Sequence, residues 1–293
     1  MSAKIIDGKA VAQKVYENLV PEIDQLGKQK VIPHLTVVLV GEDPASVVYV
    51  GMKQKACEKW GLSSETIRLS EETAEEELLK RVERLNNDPN VHGILVQLPL
   101  PKHINSKKVL DAIHPDKDVD GFHPVNRGRL AVGEECFAPC TPAGIQQLLI
   151  HNDIDPRGKH LVVLGRSAIV GMPFAIMMMQ KKPGANATVT VCHTGTTDIA
   201  KHTQQADILV AAAGHVNAIK KDMVKPGAVV IDVGSNRVDD PSAKRGFRLV
   251  GDVDFQEVKE VAGAITPVPG GVGPMTIAML VYNTVQAAKR LSS

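Results

Sequence analysis

Apolar residues near the start of the chain recur with helical spacing. Val11, Val15, Leu19 and Ile23 fall three or four positions apart between residues 7 and 28. This period predicts an amphipathic helix, preceded by a short strand at 4–6.

Further along, short apolar runs alternate with segments of helical period. The runs predict strands at 35–41, 64–69, 91–98, 161–164, 187–192, 207–212 and 228–233. Helices are predicted at 46–59, 74–86 and 106–113, from 141 onward and at 275–290. The alternation predicts two α/β domains with a cleft between them, the second a doubly wound, Rossmann-like parallel sheet. We expect one domain at 1–141 and the other at 142–274, with helix 275–293 packing back on the first.

Two stretches break this alternation. Residues 99–142 are rich in Pro, Gly, His and Asp and are expected to be mostly loop, and 267–274 reads PVPGGVGP, which predicts no regular structure. Long loops that follow strands in α/β domains often carry sites.

Composition excludes several classes of function. The 293 residues include 34 basic and 33 acidic side chains for a net charge of +1, with 3% aromatics, so no nucleic-acid surface is indicated. No apolar run is as long as a membrane span and the first residues lack a signal sequence, so we expect a cytoplasmic protein. The four cysteines match no zinc spacing and are expected to be reduced, mostly buried thiols.

Residues 160–173, HLVVLGRSAIVGMP, predict a buried strand, a tight turn and a helix start. Gly165 and Gly171 lie six apart, as in a dinucleotide fingerprint, but Ser167 replaces the middle glycine. A phosphate-binding turn and an ordinary strand-to-helix turn both remain open. No carboxylate ends the next strand, whereas Arg166 and Ser167 could bind a 2′-phosphate, which favours NADP over NAD.

A second candidate site lies in the first half of the chain. Tyr49 and Lys53 are four apart on a predicted helix and share a face, and Gln97 ends the third strand. Parallel strands end at one sheet edge, so all three should face one crevice, where burial would lower the lysine pKa. A solvated helix pair and a strand-end amide are the plain alternatives.

Carboxylates at 116–120 precede Gly121, and Asp120 can turn inward. The spacing does not match a calcium loop, so no metal is expected. His92, His123 and His193 show no paired spacing and are interpreted as structural.

Five motifs together identify a family resemblance: SVVYVGMKQKAC, GILVQLPLP, KDVDGFHPVN, GRSAIVGMP and ITPVPGGVGPMT. In this order and at these spacings the chain resembles methylenetetrahydrofolate dehydrogenase/cyclohydrolase over nearly its whole length. The resemblance implies a homodimeric, NADP-dependent enzyme of one-carbon metabolism, which serves purine, methionine and histidine biosynthesis. Such an enzyme oxidises 5,10-methylenetetrahydrofolate and hydrolyses the methenyl product to 10-formyltetrahydrofolate in one cleft. A dehydrogenase with weak or no hydrolase activity and a noncatalytic nucleotide-binding scaffold are the alternatives.

The resemblance also implies residue roles. Lys53 would be the catalytic lysine, Gln97 its tuning partner, Tyr49 a stacking group on folate and Asp120 the partner of the pterin amino edge. Further implied folate contacts are Val96, Leu98, Pro269, Gly270, Gly271, Val272 and Gly273. Implied cofactor contacts are Gly165, Arg166, Ser167, Gly171, Thr194 and Ser235. Ser235 departs from the family's usual isoleucine, while Thr194 stands where NAD-preferring relatives have arginine and so favours NADP.

Overall fold

A computed structural model describes residues 2–243 and 246–292. Its strands are β1 Lys4–Ile5, β2 His34–Val40, β3 Ser63–Leu69, β4 Gly93–Val96, β5 His160–Leu164, β6 Thr188–Cys192, β7 Ile208–Ala211, β8 Val229–Asp232, β9 Asn236–Asp239, β10 Phe247–Val250 and β11 Ala264–Ile265. Its α-helices are α1 Gly8–Lys28, α2 Pro44–Lys59, α3 Glu75–Asn87, α4 Ser106–Asp111, α5 Pro124–Val132, α6 Cys140–His151, α7 Gly171–Met179, α8 Ile199–Thr203, α9 Phe255–Val258 and α10 Val272–Leu291. A 3₁₀ turn covers Lys221–Met223.

The larger sheet has six parallel strands in the order β1-β11-β8-β7-β5-β6. Its central strands β5, β7 and β8 are almost wholly buried, because helical crossovers cover both faces of a parallel sheet. From β5 the chain passes to β6 on one side and later to β7 on the other. The point between β5 and β7 is therefore the topological switch point, where α/β sheets bind ligands.

The smaller sheet has three parallel strands in the order β3-β2-β4. Its central strand β2, HLTVVLV, is buried along six of its seven residues. Val38 and Val96 pack with Leu78 and Val82 of α3 to form much of the core on one face. The predicted fold class, two α/β domains with one doubly wound sheet, is confirmed.

The chain divides into two compact units. The six-stranded unit contains residues 2–12 and 141–276, and the three-stranded unit contains 13–140 and 277–292. The sequence analysis placed residues 1–12 in the first domain. In the structure Lys4 pairs with Ala264, so this segment belongs with the six-stranded sheet. The C-terminal part of α10 belongs to the three-stranded unit.

Several elements differ from the sequence-based expectation. Helix α5 lies in the stretch expected to be loop, since Pro124, His123 and Gly133 act there as helix-end residues: the His123 ring accepts from Val125 N at 3.1 Å and Gly133 adopts φ 81°. Helix α10 begins at Val272, so the expectation that all of 267–274 is irregular was wrong. Pro274 fits because first-turn N–H groups have no partner inside the helix. Strands β9 and β10, an antiparallel pair, were not predicted.

All four cysteines are free thiols, and Cys57, Cys140 and Cys192 are buried. Across residues 2–243 and 246–292, no helix combines the length and apolar character needed to cross a membrane.

Candidate active site

Helix α2 carries Lys53 on its buried face. Two features stabilise the N-terminus of this helix: the Asp43 carboxylate accepts from Ser46 N at 2.8 Å, and Pro44 occupies the first turn. Ser46, Val50, Lys53 and Cys57 recur every three or four positions and are all buried. Helical spacing therefore places the lysine against the protein interior.

Gln97 directly follows β4 and holds Lys53. Lys53 Nζ donates to Gln97 Oε1 at 2.9 Å, and Gln97 Nε2 donates to the Leu98 carbonyl at 2.7 Å. Because the amide N–H is used by Leu98, the amide oxygen must face the lysine. The backbone N–H of Gln97 donates to Val38 O at 2.9 Å, which fixes the strand end.

Burial lowers the pKa of Lys53, whose side chain is among the buried charged groups at 9% exposure. Removal from water disfavours the ammonium form, while the charges of Asp120 and Cys140 oppose this shift. The neighbouring Asp120 carboxyl has a raised pKa, again mainly from burial, with Lys53 and a hydrogen bond from Cys140 opposing. Burial thus makes the neutral amine, which can accept a proton, more accessible than it is in an exposed lysine.

The loop that carries Asp120 is fixed at its start. Ile94 N of β4 donates to Lys117 O at 2.8 Å, and the Lys117 ammonium donates to the carbonyls of Leu85 at 3.1 Å and Asp88 at 2.6 Å. Asp118 is 1% exposed and accepts from His123 N at 2.8 Å. Burial raises the pKa of Asp118 to about 6.

The end of this loop packs against two other segments. Gly121 adopts φ 75°, and a Cβ there would lie 2.6 Å from Pro139 N, so only glycine fits. Asn283 of α10 donates from Nδ2 to Val119 O at 2.8 Å and to Ala138 O at 3.1 Å. The Cys140 thiol also donates to Val119 O, at 3.3 Å. These contacts enclose Asp120 between fixed neighbours.

The remaining predicted folate contacts divide between the two units. Tyr49 is half-buried one helical turn before Lys53, Val96 is buried in β4, and Leu98 is half-buried after it. In the six-stranded unit, Pro269–Gly271 form a turn in which Gly271 N donates to Pro267 O at 2.9 Å. Val272 and Gly273 open α10.

The turn after β5 lies at the switch point of the larger sheet. Gly165 adopts φ 124°, and a Cβ there would lie 2.1 Å from Ala212 O, which follows β7. A Cβ on Gly171 would lie 2.0 Å from Gly165 O. Both glycines are therefore required for close backbone approach, as in dinucleotide-binding turns.

The polar groups of this turn have distinct environments. Ser167 Oγ accepts from Val170 N at 3.2 Å and Gly171 N at 3.4 Å, so it satisfies backbone N–H groups at the start of α7. Arg166 and Thr194 are exposed, and Arg166 Nη1 lies 3.4 Å from Nε2 of His193. Ser235 is exposed beyond the end of β8.

Sequence reasoning missed Cys140 and Asn283 as parts of the site, and it named Asp118 only among the carboxylates of the 116–120 loop. Asn283 gave a weak signal, since it is an amide within an apolar stretch of the helix, but nothing in the sequence showed which carbonyls it contacts. Cys140 adjoins the helix start at Thr141 and had no distinguishing pattern.

Comparison with known proteins agrees with these features. Residues 6–120 match the family model for the tetrahydrofolate dehydrogenase/cyclohydrolase catalytic domain, and residues 139–292 match that for the tetrahydrofolate dehydrogenase/cyclohydrolase NAD(P)-binding domain. The bifunctional protein FolD of Prosthecochloris aestuarii is 57% identical over 289 residues, covering 98% of each chain.

Solved structures are similar over the same length. The bifunctional FolD methylenetetrahydrofolate dehydrogenase/cyclohydrolase of Campylobacter jejuni is 49% identical, with a TM-score of 0.92 and 99% of each chain covered. The Trypanosoma brucei N5,N10-methylenetetrahydrofolate dehydrogenase-cyclohydrolase (FolD), solved with NADP cofactor and an inhibitor, is 40% identical with a TM-score of 0.94, covering 99% of this chain and 98% of that one.

Proposed function

The chain belongs to the tetrahydrofolate dehydrogenase/cyclohydrolase family, and from this premise we propose that Lys53 and Gln97 form its reacting centre. The protein is a bifunctional, NADP-dependent methylenetetrahydrofolate dehydrogenase and methenyltetrahydrofolate cyclohydrolase. It removes a hydride from the methylene carbon of 5,10-methylenetetrahydrofolate, and it adds water to the resulting methenyl cation to give 10-formyltetrahydrofolate.

The observation that carries the proposed centre is the 2.9 Å hydrogen bond from Lys53 Nζ to Gln97 Oε1 on a buried lysine of lowered pKa. A neutral amine accepts the proton that water loses as its oxygen bonds to the methenyl carbon. The amine then returns that proton to the folate nitrogen as the carbon–nitrogen bond breaks. The hydroxyl proton of the adduct leaves as the formyl group forms, so one proton is released overall.

Gln97 has the second role, which is to hold the amine in place. Its amide oxygen points at Nζ because its amide nitrogen is bonded to Leu98 O. Holding the amine in place keeps the proton acceptor oriented toward the attacking water, which lowers the barrier of the step. We assign Tyr49 to stacking on the folate and Asp120 to its pterin amino edge, with Val96, Leu98 and Pro269–Gly273 as further folate contacts.

The turn after β5 suits a dinucleotide. Gly165 and Gly171 permit close approach of a pyrophosphate at the switch point, and Arg166 offers a guanidinium for a 2′-phosphate. When bound, NADP⁺ supplies the hydride acceptor. We assign Ser167, Thr194 and Ser235 to the same site, where Ser167 also accepts from Val170 N at the start of α7.

The broader assignments follow from the family. We assign catalysis and most folate contacts to the three-stranded unit, and NADP binding together with the folate contacts at Pro269–Gly273 to the six-stranded unit. We also predict that the enzyme is a cytoplasmic homodimer and that it supplies one-carbon units for purine, methionine and histidine synthesis.

The function is tested by following absorbance of the methenyl chromophore after mixing enzyme with methylenetetrahydrofolate and either NADP⁺ or NAD⁺. We expect faster chromophore formation with NADP⁺ and then enzyme-dependent decay as the ring opens. Failure to form the chromophore with either dinucleotide contradicts the dehydrogenase assignment. Formation followed by decay no faster than in buffer favours a dehydrogenase without hydrolase activity.

A further inference from the structure

Two buried aspartates lie at the carboxyl edge of the six-stranded sheet. Asp232 ends β8 and is 2% exposed, and Asp252 follows β10 and is 0% exposed. Among the ion pairs of residues 2–243 and 246–292, none includes either side chain. Backbone N–H groups and one side-chain amide bond to these carboxylates instead, so each carboxylate fixes particular segments of the chain.

Asp232 sets the position of Asp252. Its Oδ1 accepts from Asp252 N at 2.8 Å, and its Oδ2 accepts from Val253 N at 3.1 Å. A Cβ on Gly251 would overlap Asp232 Oδ2, so only glycine allows the two segments to approach this closely. The Asp252 side chain is thereby placed beside the end of β8.

Asp252 in turn holds a segment that follows β7. Its Oδ2 accepts from Gly214 N at 2.8 Å, and its Oδ1 accepts from Asn236 Nδ2 at 2.8 Å. Gly214 itself is exposed and adopts φ 68°. Detaching Gly214 would deprive a buried carboxylate oxygen of this donor, which costs free energy, so the segment is held in place.

The segment 212–214 borders the nucleotide turn. Ala212 N donates to Leu164 O at 2.8 Å, and a Cβ on Gly165 would overlap Ala212 O. The segment therefore lies at the switch point between β5 and β7, across which the two halves of a dinucleotide bind. Since β6, the second strand of the fold, serves the adenosine half, the ends of β7 and β8 serve the nicotinamide half.

We propose that Asp252 is a positioning residue for hydride transfer, which holds segment 212–214 in the place that orients the nicotinamide half of the bound dinucleotide. The inference rests on the proposed dehydrogenase function and adds a residue outside the substrate and cofactor contacts assigned above. Hydride transfer requires alignment of the donor carbon with the acceptor ring, so a small displacement of the segment slows it. Addition of water to the methenyl cation uses no dinucleotide, so that step should be unaffected.

Two variants of Asp252 test this role. Asp252→Ala removes both acceptors, whereas Asp252→Asn keeps one oxygen that can accept from Gly214 N. We expect the dehydrogenase kcat with NADP⁺ and methylenetetrahydrofolate to fall roughly tenfold or more in Asp252→Ala and about threefold in Asp252→Asn. Methenyltetrahydrofolate hydrolysis by the same preparations should stay within about twofold of the wild-type rate.

Asp207 is the matched control at the amino edge of the same sheet. Its Oδ2 accepts from His160 N at 2.9 Å, and its Oδ1 accepts from Lys225 Nζ at 2.6 Å. Asp207→Ala thus also removes the acceptor of one backbone N–H and of one side-chain donor. It should lower Tm and leave the ratio of dehydrogenase to hydrolase rates at the wild-type value.

A ratio that is unchanged in both Asp252 variants, or that falls as far in Asp207→Ala, would overturn the positioning role. If Asp252→Ala does not fold, Asp252→Asn decides alone, since an unchanged ratio in that variant contradicts the proposal. A wild-type protein without NADP⁺-dependent dehydrogenase activity would instead contradict the proposed function itself.

Discussion

Lys53 and Asp232 are both buried, and burial moves their pKa values in opposite directions. For Lys53 the charged form is the acid, so its pKa falls and the neutral amine becomes available. For Asp232 the charged form is the base, so burial raises its pKa to about 6, although three backbone N–H groups partly oppose the rise.

For single residues, the sequence predicted that Lys53 and Gln97 would lie together. Helix periodicity gave the buried position of Lys53, and strand periodicity placed Gln97 at the end of its strand. It could not predict Asn283 or Cys140, whose contacts depend on tertiary packing.

The raised pKa of Asp232 predicts a pH-dependent stability. The folded state binds the Asp232 proton more tightly than the unfolded state does. The contribution of this proton to the free energy of unfolding is therefore complete below about pH 4 and is lost as the pH rises to about 6. The change amounts to about 3 kcal/mol. Asp232→Asn cannot titrate and lacks this dependence. Urea unfolding at pH 4 to 7 should show the stability of wild type relative to the variant falling by about that amount. A difference that stays constant over this range would contradict the assignment.

At the scale of single elements, some local sequence patterns predicted the structure and others did not. The strand and helix periods predicted most elements, and the paired glycines predicted the turn after β5. Helix α5 was missed because its proline, histidine and glycine were interpreted as loop residues when they serve as caps. The sequence also could not predict which strands pair. Strand β1 is two residues long, and its pairing with β11 is seen only in the structure.

The turn after β5 should not tolerate a side chain at its first glycine. Gly165→Ala places a Cβ 2.1 Å from Ala212 O at φ 124°, which should lower the free energy of unfolding by about 2 kcal/mol or more and weaken NADP⁺ binding. Gly158→Ala, before the same strand, is the matched control: it has φ 72° with open space around it. We expect it to cost about 1 kcal/mol and to leave binding intact. Equal effects in the two variants would show that steric contact at Gly165 is unimportant.

Helix α10 should stabilise the Asp120 loop through one side chain. Asn283→Ala leaves the buried acceptors Val119 O and Ala138 O without the Asn283 amide, and we expect a loss of about 2 to 4 kcal/mol. Gln286→Ala on the same helix removes a partly buried hydrogen bond to Glu22 at 2.9 Å and should cost about 1 kcal/mol or less. Denaturant titration of both variants checks the difference. Similar losses would argue against a special role for Asn283.

At the scale of the whole molecule, the fold class and the presence of two α/β units could be predicted from the sequence. The buried strands of each sheet are short apolar runs that alternate with segments of helical period. The assignment of residues 2–12 to the six-stranded unit could not, since it follows from strand pairing between the two ends of the chain. The site was predictable as separate motifs. Its electrostatic state was not, because burial of Lys53 and Asp120 is a property of the folded chain.

The most direct test of the central claim is the rate of methenyltetrahydrofolate hydrolysis by Lys53→Met, compared with Lys55→Met, an exposed lysine on the same helix. Loss of a positioned proton acceptor should slow hydrolysis by roughly a hundredfold or more in Lys53→Met while NADP⁺ binding persists. Lys55→Met should hydrolyse methenyltetrahydrofolate at the wild-type rate. In the wild type this rate should rise with pH as the Lys53 amine loses its proton. Hydrolysis by Lys53→Met at the wild-type rate would remove Lys53 from the mechanism.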